Sequence, residues 1–167
     1  MNTRWYAVYT RSRAEKRTFS LLKERGVTVY LPLVKSWRVW SDRRKQVEVP
    51  LLNSYLFVHA DPSDYDGYLE ILNTAGVVRF VGFEGKPVPI PDHQIDALRR
   101  LSSEGVDMQC MDETPPPGTP VNIAMGPLKG MQGEVVHGSQ GRQVVIRLDA
   151  LDKCITVNVP LTQLGIY

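Results

Sequence analysis

The segment Val121 to Val136, V-N-I-A-M-G-P-L-K-G-M-Q-G-E-V-V, constrains the fold more than any other stretch of the chain. An alternating apolar run at Val121 and Ile123 meets Gly126-Pro127, glycines recur at 126, 130 and 133, and a second apolar run begins at Val135. Gly126-Pro127 is a strong turn dipeptide, and the glycines accept positive φ or close backbone approach without steric cost. The pattern predicts strand, tight turn, strand. Residues 120–124, 132–137, 143–148 and 154–160 read as short strands with no helical period among them, and four or five strands in about 50 residues predict a small β-barrel. The alternating β-branched residues Val144, Val145, Ile146, Ile155, Val157 and Val159 favour strand over helix, so this part of the chain is expected to be a stable barrel.

Ahead of it, periodicity stops between Glu104 and Gly118, where Pro115-Pro116-Pro117-Gly118 suits neither a helix nor a central strand. Residues 104–117 therefore read as a linker between two domains, 1–103 and 118–167. In the first domain, residues 5–10 (W-Y-A-V-Y-T) alternate as a strand. Ser12 and Glu15 have capping-box spacing ahead of a helix whose apolar stripe holds Phe19 and Leu22 and whose end is marked by Gly26. Residues 28–31 read as a strand stopped by Pro32, and residues 36–40 and 46–49 as a hairpin with the basic tip S-D-R-R-K. Residues 55–60 (Y-L-F-V-H-A) form a strong strand, and Asp61-Pro62 matches a helix cap with proline at the first helical position. Tyr65, Tyr68, Leu69 and Leu72 make the apolar stripe of the second helix, which Gly76 closes. A strand over 77–83 and a helix over 92–103 complete an α+β domain, a largely antiparallel sheet with flanking helices.

Charge is distributed unevenly. Residues 1–45 hold 12 Lys/Arg against 3 Asp/Glu, whereas 46–101 hold 4 against 8 and 102–167 hold 4 against 7. A basic N-terminal end favours a polyanionic partner, most simply nucleic acid. The chain lacks an apolar run long enough for a membrane span and a secretory h-region, which predicts a cytoplasmic protein with no membrane partner. Cys110 and Cys154 make no C-x-x-C pair, so neither a metal site nor a disulfide framework is expected. His59, His93 and His137 are scattered, and there is no H-E-x-x-H, P-loop or nucleophile motif. The chain reads as a non-enzyme without a cofactor.

Several segments, in order, carry a family likeness: W-Y-A-V-Y-T at 5–10, Glu15-Lys16, Tyr30-Leu31-Pro32, Y-L-F-V at 55–58, G-V-V-R-F-V-G at 76–82, and the glycine-spaced segment, which is similar to a KOW motif. Together they resemble the NusG family of transcription elongation and antitermination factors. Asn53-Ser54-Tyr55 and the R-x-W-S-D-R-R-K run at 38–45 are similar to its specialised RfaH-like and UpxY-type paralogues, the latter associated with capsule gene clusters. The resemblance implies an N-terminal NGN domain and a C-terminal SH3-like KOW barrel. It implies that Tyr9, Tyr55, Phe57 and Phe80 dock onto the clamp helices of the largest RNA polymerase subunit; large rigid aromatics suit such an anchor. Arg11, Arg13, Lys16 and Arg17 at the first helix, with Arg43, Arg44 and Lys45 at the hairpin tip, are candidates to neutralise DNA phosphates in the elongation complex. The family's second polymerase anchor does not carry over to Asp66-Gly67-Tyr68-Leu69. Leu128 and Met131 occupy the apolar positions through which the family's KOW domain binds a small-subunit ribosomal protein or the terminator Rho. The acidic C-terminal balance favours such a protein partner over RNA. The expected protein is a monomer that suppresses pausing or termination; the alternative is a KOW-containing ribosomal or other RNA-binding protein.

Overall fold

A computed structural model describes residues 2–112, 116–138, 141–159 and 161–166. The chain divides into two compact units, 1–95 and 96–167.

The first unit begins with β1 (Arg4–Thr10), α1 (Glu15–Glu24), β2 (Thr28–Tyr30), β3 (Leu33–Val39), β4 (Arg44–Pro50), β5 (Tyr55–Ala60), α2 (Tyr65–Leu72) and β6 (Val77–Phe80). The short β7 (Gly82–Phe83), β8 (Lys86–Pro87) and β9 (Pro89–Ile90) follow. The main sheet has the order β2-β5-β1-β6, with β9 also pairing β1. Its pairings are antiparallel, and β1 meets β5 in unbroken register from Arg4↔Ala60 to Tyr9↔Tyr55. Alternation along the strands sends Tyr6, Val8, Leu56 and Val58 into a core with Leu22, Ile71 and Phe80. Phe19, Tyr68 and Leu72 pack against that core from the two helices. β3 and β4 form a separate hairpin paired from Leu33↔Pro50 to Val39↔Arg44.

Helix α3 (Asp92–Ser103) spans the division between the units and has the expected bounds. Beyond it lie β10 (Met108–Met111), β11 (Thr119–Ile123), β12 (Gln132–Gly138), β13 (Gly141–Leu148), β14 (Lys153–Val157) and β15 (Leu164–Ile166). They form one antiparallel sheet ordered β10-β14-β13-β12-β11-β15. Its interior contains Val121, Ile123, Val144, Ile155 and Val157.

Several local expectations need correction. The second sheet does not close among the described residues: β10 and β15 are its two ends and do not pair, so it is an open six-stranded sheet instead of a barrel. Within the expected linker, residues 108–111 extend the sheet by pairing Met108↔Val157 through Met111↔Cys154. One strand's backbone donors satisfied the edge of β14 where no side-chain period announced it. Pro115 of the proline run and Pro160 at the expected end of the last long strand lie outside the described residues.

The Ser12/Glu15 capping box is absent, because Ala14 caps α1 and makes no side-chain bond. Helix α2 is capped by Asp64, which accepts from Gly67 N, while Asp61 accepts from Ser63 N at 3.0 Å and Ser63 Oγ at 2.6 Å. Asp61-Pro62 thus builds a turn before the helix. Tyr65 leaves the apolar stripe and is 70% exposed. The strand expected over 77–83 splits after Phe80, with Gly82–Phe83 pairing Lys86–Pro87. Gly76 does more than close a helix: at φ +94°, a Cβ there would meet Thr18 Oγ1 at 2.1 Å, so glycine is what lets this turn lie on α1.

Candidate functional site

Strand register brings Tyr9 and Tyr55 together as direct cross-strand partners, with ring centroids 5.4 Å apart and an edge-to-face angle of 67°. Across the other edge of β1, Arg79 is the partner of Tyr9, and its guanidinium carbon lies 5.7 Å from the Tyr9 ring centroid. Both tyrosines are half-buried, while Arg79 and neighbouring Val78 are exposed. The result is an aromatic and cationic patch across β5, β1 and β6, half-buried at its two tyrosines and exposed at Arg79.

A buried acid holds one end of this patch. Ser54, in the left-handed region at φ 65°, donates its backbone N–H to Glu15 Oε1 at 2.7 Å and accepts from Thr10 N at 2.8 Å. Glu15, expected at the helix cap, therefore reaches from α1 to the residue before Tyr55. A non-glycine residue at positive φ is strained, and the carboxylate and the Thr10 amide offset that strain. Sequence reasoning missed this role because acid three residues after serine has the same spacing whether it bonds locally or across the fold.

The other two expected polymerase contacts are placed differently. Phe57 shares the Tyr9 face by alternation but is fully buried, stacked on Tyr30 with centroids 6.2 Å apart. Phe80 pairs with Val8 and so lies on the opposite face, edge-on to Tyr6 at 6.2 Å and stacked on Tyr68 at 4.8 Å. Both support the sheet and neither is open to a partner.

The basic residues cluster as two neighbouring groups. Arg11, Arg13, Lys16 and Arg17 are all exposed at the start of α1, with Arg13 at φ 61°. Arg43, Arg44 and Lys45 are exposed on the hairpin, although Arg44 and Lys45 belong to β4, so the turn is shorter than the expected tip and closes with Trp40 N to Arg43 O at 2.8 Å. Lys16 Nζ donates to the Glu48 carbonyl at 2.5 Å and links the two groups. Two tryptophans not assigned from sequence also stand out: Trp37 is 57% exposed and Trp40 43% exposed. Arg44 lies over Trp37 at 4.6 Å and Arg43 over Trp40 at 5.8 Å. Their signal was legible in W-R-V-W, with Trp37 inside β3 and Trp40 just past its end at Val39, in the turn.

In the second unit, Leu128 and Met131 are buried. The turn folds back on itself through Gly130 N to Ile123 O at 2.7 Å and Ile123 N to Met131 O at 2.8 Å, with Gly126 and Gly130 at φ 84° and 86°. That closure tucks both side chains inward and leaves Met125 outside at 55% exposure. Arg147 bonds Glu134 at 2.5 Å, and Lys153 bonds Asp112 at 2.5 Å, holding the Asp112 carboxyl below the usual carboxylate range. Burial pushes the thiols of Cys110 and Cys154 up from their ordinary value, and neither is in a disulfide. Among the described residues there is no cluster of three or more metal-ligating side chains, and no helix is long and apolar enough to cross a membrane.

The family model described as transcription termination factor nusG matches residues 3–99. The chain belongs to the NusG family. It is similar to the transcription termination/antitermination protein NusG of Deinococcus radiodurans, 28% identical across 87% of this chain and 90% of that protein. A solved structure concerning domain interaction in Thermotoga maritima NusG has a similar fold, with a TM-score of 0.60 over 99% of this chain and 98% of that one at 19% identity.

Proposed function

We propose that the protein binds RNA polymerase through its first unit, on the clamp helices of the largest subunit, and restrains pausing or termination during elongation. The observation that carries this reading is the Tyr9–Tyr55 pair with Arg79, a partly open aromatic patch on otherwise packed strands. Central aromatic and arginine anchors of this kind dominate protein interfaces. Phe57 and Phe80 position the patch without touching the partner. Arg11, Arg13, Lys16 and Arg17, with Arg43, Arg44 and Lys45, neutralise phosphates of DNA at the polymerase surface.

The functional division is an NGN domain at 1–103, a connecting segment at 104–117 and a KOW domain at 118–167, whose strands form an SH3-like unit. The KOW domain recruits a protein, either a small-subunit ribosomal protein or Rho, with Met125 as the exposed apolar contact and Leu128 and Met131 beneath it. Asn53-Ser54-Tyr55 and the run at 38–45 support a specialised, operon-restricted role, with capsule clusters as the expected targets.

A purified transcription assay tests the reading. The protein is expected to shorten pauses and raise readthrough on a cognate leader. Unchanged pause lifetimes and readthrough on cognate and generic templates, or polymerase capture unaffected by Tyr55→Ala, overturn it.

A further inference from the structure

Helix α1 turns a polar pair toward the interior. Glu15 and Thr18 share one face of the helix with Leu22, and all three are buried. Burying a carboxylate and a hydroxyl is costly unless each is hydrogen-bonded. Both are bonded to turns elsewhere in the chain: Glu15 Oε1 accepts from Ser54 N at 2.7 Å, and Thr18 Oγ1 donates to Ala75 O at 3.1 Å.

Those two turns lead into the strands that carry the tyrosine patch. Ser54 immediately precedes Tyr55 at the start of β5, and Ala75-Gly76 precede β6, which carries Arg79. β1, which lies between β5 and β6, is tied to both turns: Thr10 N donates to Ser54 O and Arg11 N to Gly76 O, each at 2.8 Å. The β1–β6 ladder shifts register between Tyr9 and Thr10, so that Arg79 pairs with Tyr9 while Val77 pairs with Thr10. Such a bulge re-aims the side chains around it, here Arg79 toward the Tyr9 ring. The turn at 75–76 has a glycine at its left-handed position, whereas the turn before Tyr55 has Ser54 at φ 65°, where glycine would sit without strain.

We infer that Glu15 and Thr18 are positioning residues for polymerase docking: Glu15 holds left-handed Ser54 and so keeps the Tyr55 ring against Tyr9, and Thr18 holds the 75–76 turn and so places Arg79. Neither touches the partner. Without the carboxylate, Ser54 relaxes toward negative φ, which rotates the backbone entering Tyr55 and parts the two rings. The inference deepens the polymerase reading and rests on it; it makes affinity depend on two buried side chains of α1.

The test titrates variants of the full chain against purified bacterial core RNA polymerase and, on the free proteins, records the nuclear Overhauser effect between the Tyr9 and Tyr55 rings. Glu15→Ala is expected to weaken capture about tenfold, as loss of a charge-assisted hydrogen bond does, and to erase the ring signal while cooperative unfolding is kept. Glu15→Gln, whose amide oxygen still accepts from Ser54 N, keeps most of both. Adding Ser54→Gly to Glu15→Ala restores most of the affinity and the ring signal, because glycine holds positive φ unaided. A carboxylate that served only to stabilise the helix would leave a loss that glycine 39 residues away does not repair. Ser54→Val strains the same turn without altering α1 and lowers capture as well, which tests the turn even where Glu15→Ala fails to fold. Thr18→Val removes the hydroxyl at nearly constant shape and weakens capture about threefold. Unchanged capture and ring signal in Glu15→Ala, no recovery on adding Ser54→Gly, or unchanged capture in Ser54→Val overturns the inference for Glu15, and unchanged capture in Thr18→Val overturns it for Thr18. Capture that Tyr55→Ala weakens and Glu15→Ala does not sinks the positioning role alone. A ring signal that follows Glu15 as expected, in a protein that captures no polymerase, sinks the polymerase reading alone.

Discussion

The two aromatic surfaces of the first unit are held in opposite ways. Tyr9 and Tyr55 stand on central strands, each ring packed edge-on against the other, with Phe57 buried two residues away and a carboxylate pinning the backbone before Tyr55. Trp37 and Trp40 project from a two-stranded hairpin, each exposed and each beside its own arginine. A pair built into a sheet is pre-organised, so little freedom is lost when a folded partner docks. An indole on a two-stranded hairpin has less of the fold packed against it and keeps more of its ring in water. The difference teaches that aromatic content alone does not define a docking site; what lies beneath the ring decides what kind of partner it fits.

The largest test of that contrast removes the support under the tyrosine patch. Phe57→Ala empties a fully buried site and is expected to lower stability by about 3–5 kcal/mol in chemical denaturation, as buried aromatic truncations do. A loss below about 1 kcal/mol would mean that the sheet does not depend on this side chain. Next comes polymerase affinity: Tyr55→Ala is expected to cost about 2 kcal/mol, roughly 30-fold in Kd by pull-down titration, with the cooperative unfolding transition retained. A variant that unfolds instead makes Tyr55 a structural residue. Third, Gly76→Ala forces a left-handed alanine, at about 1–2 kcal/mol, and brings its methyl against Thr18. Its Tm should fall accordingly, and an unchanged Tm would show that this turn is not fixed against α1. The smallest effect belongs to the hairpin: Trp37→Ala is expected to change stability by less than about 0.5 kcal/mol, since the ring is mostly in water. A larger loss would erase the distinction between the two surfaces.

Much of this was legible from local pattern. The strand at Tyr55–Ala60 and the helix at Asp92–Ser103 have their expected bounds, because each carries a strong period and clear boundary residues. The Tyr9–Tyr55 patch was legible as a pair of candidates but not as a contact. Glu15 shows why other readings failed. Its spacing from Ser12 fits a local cap, yet its carboxylate accepts from the amide of Ser54, 39 residues away. Leu128 and Met131 show the same limit: their glycine-rich surroundings announce a turn, and only the backbone bonds within it decide that both side chains point inward. β10 had no side-chain signal because its place comes from main-chain pairing with β14.

By itself, the sequence determined the strand and helix periods, the turn chemistry of the glycine-spaced segment, the basic character of the N-terminal end and the family to which the chain belongs. These are properties of neighbours along the chain. Tertiary structure decided which aromatics are open, which acid props Tyr55, that the second sheet stays open among the described residues, and that Trp37 and Trp40 are exposed, each beside its own arginine. The physical reason is register: a strand's composition fixes which residues share a face, but pairing with distant strands and helices decides whether that face meets a core, a cation or water.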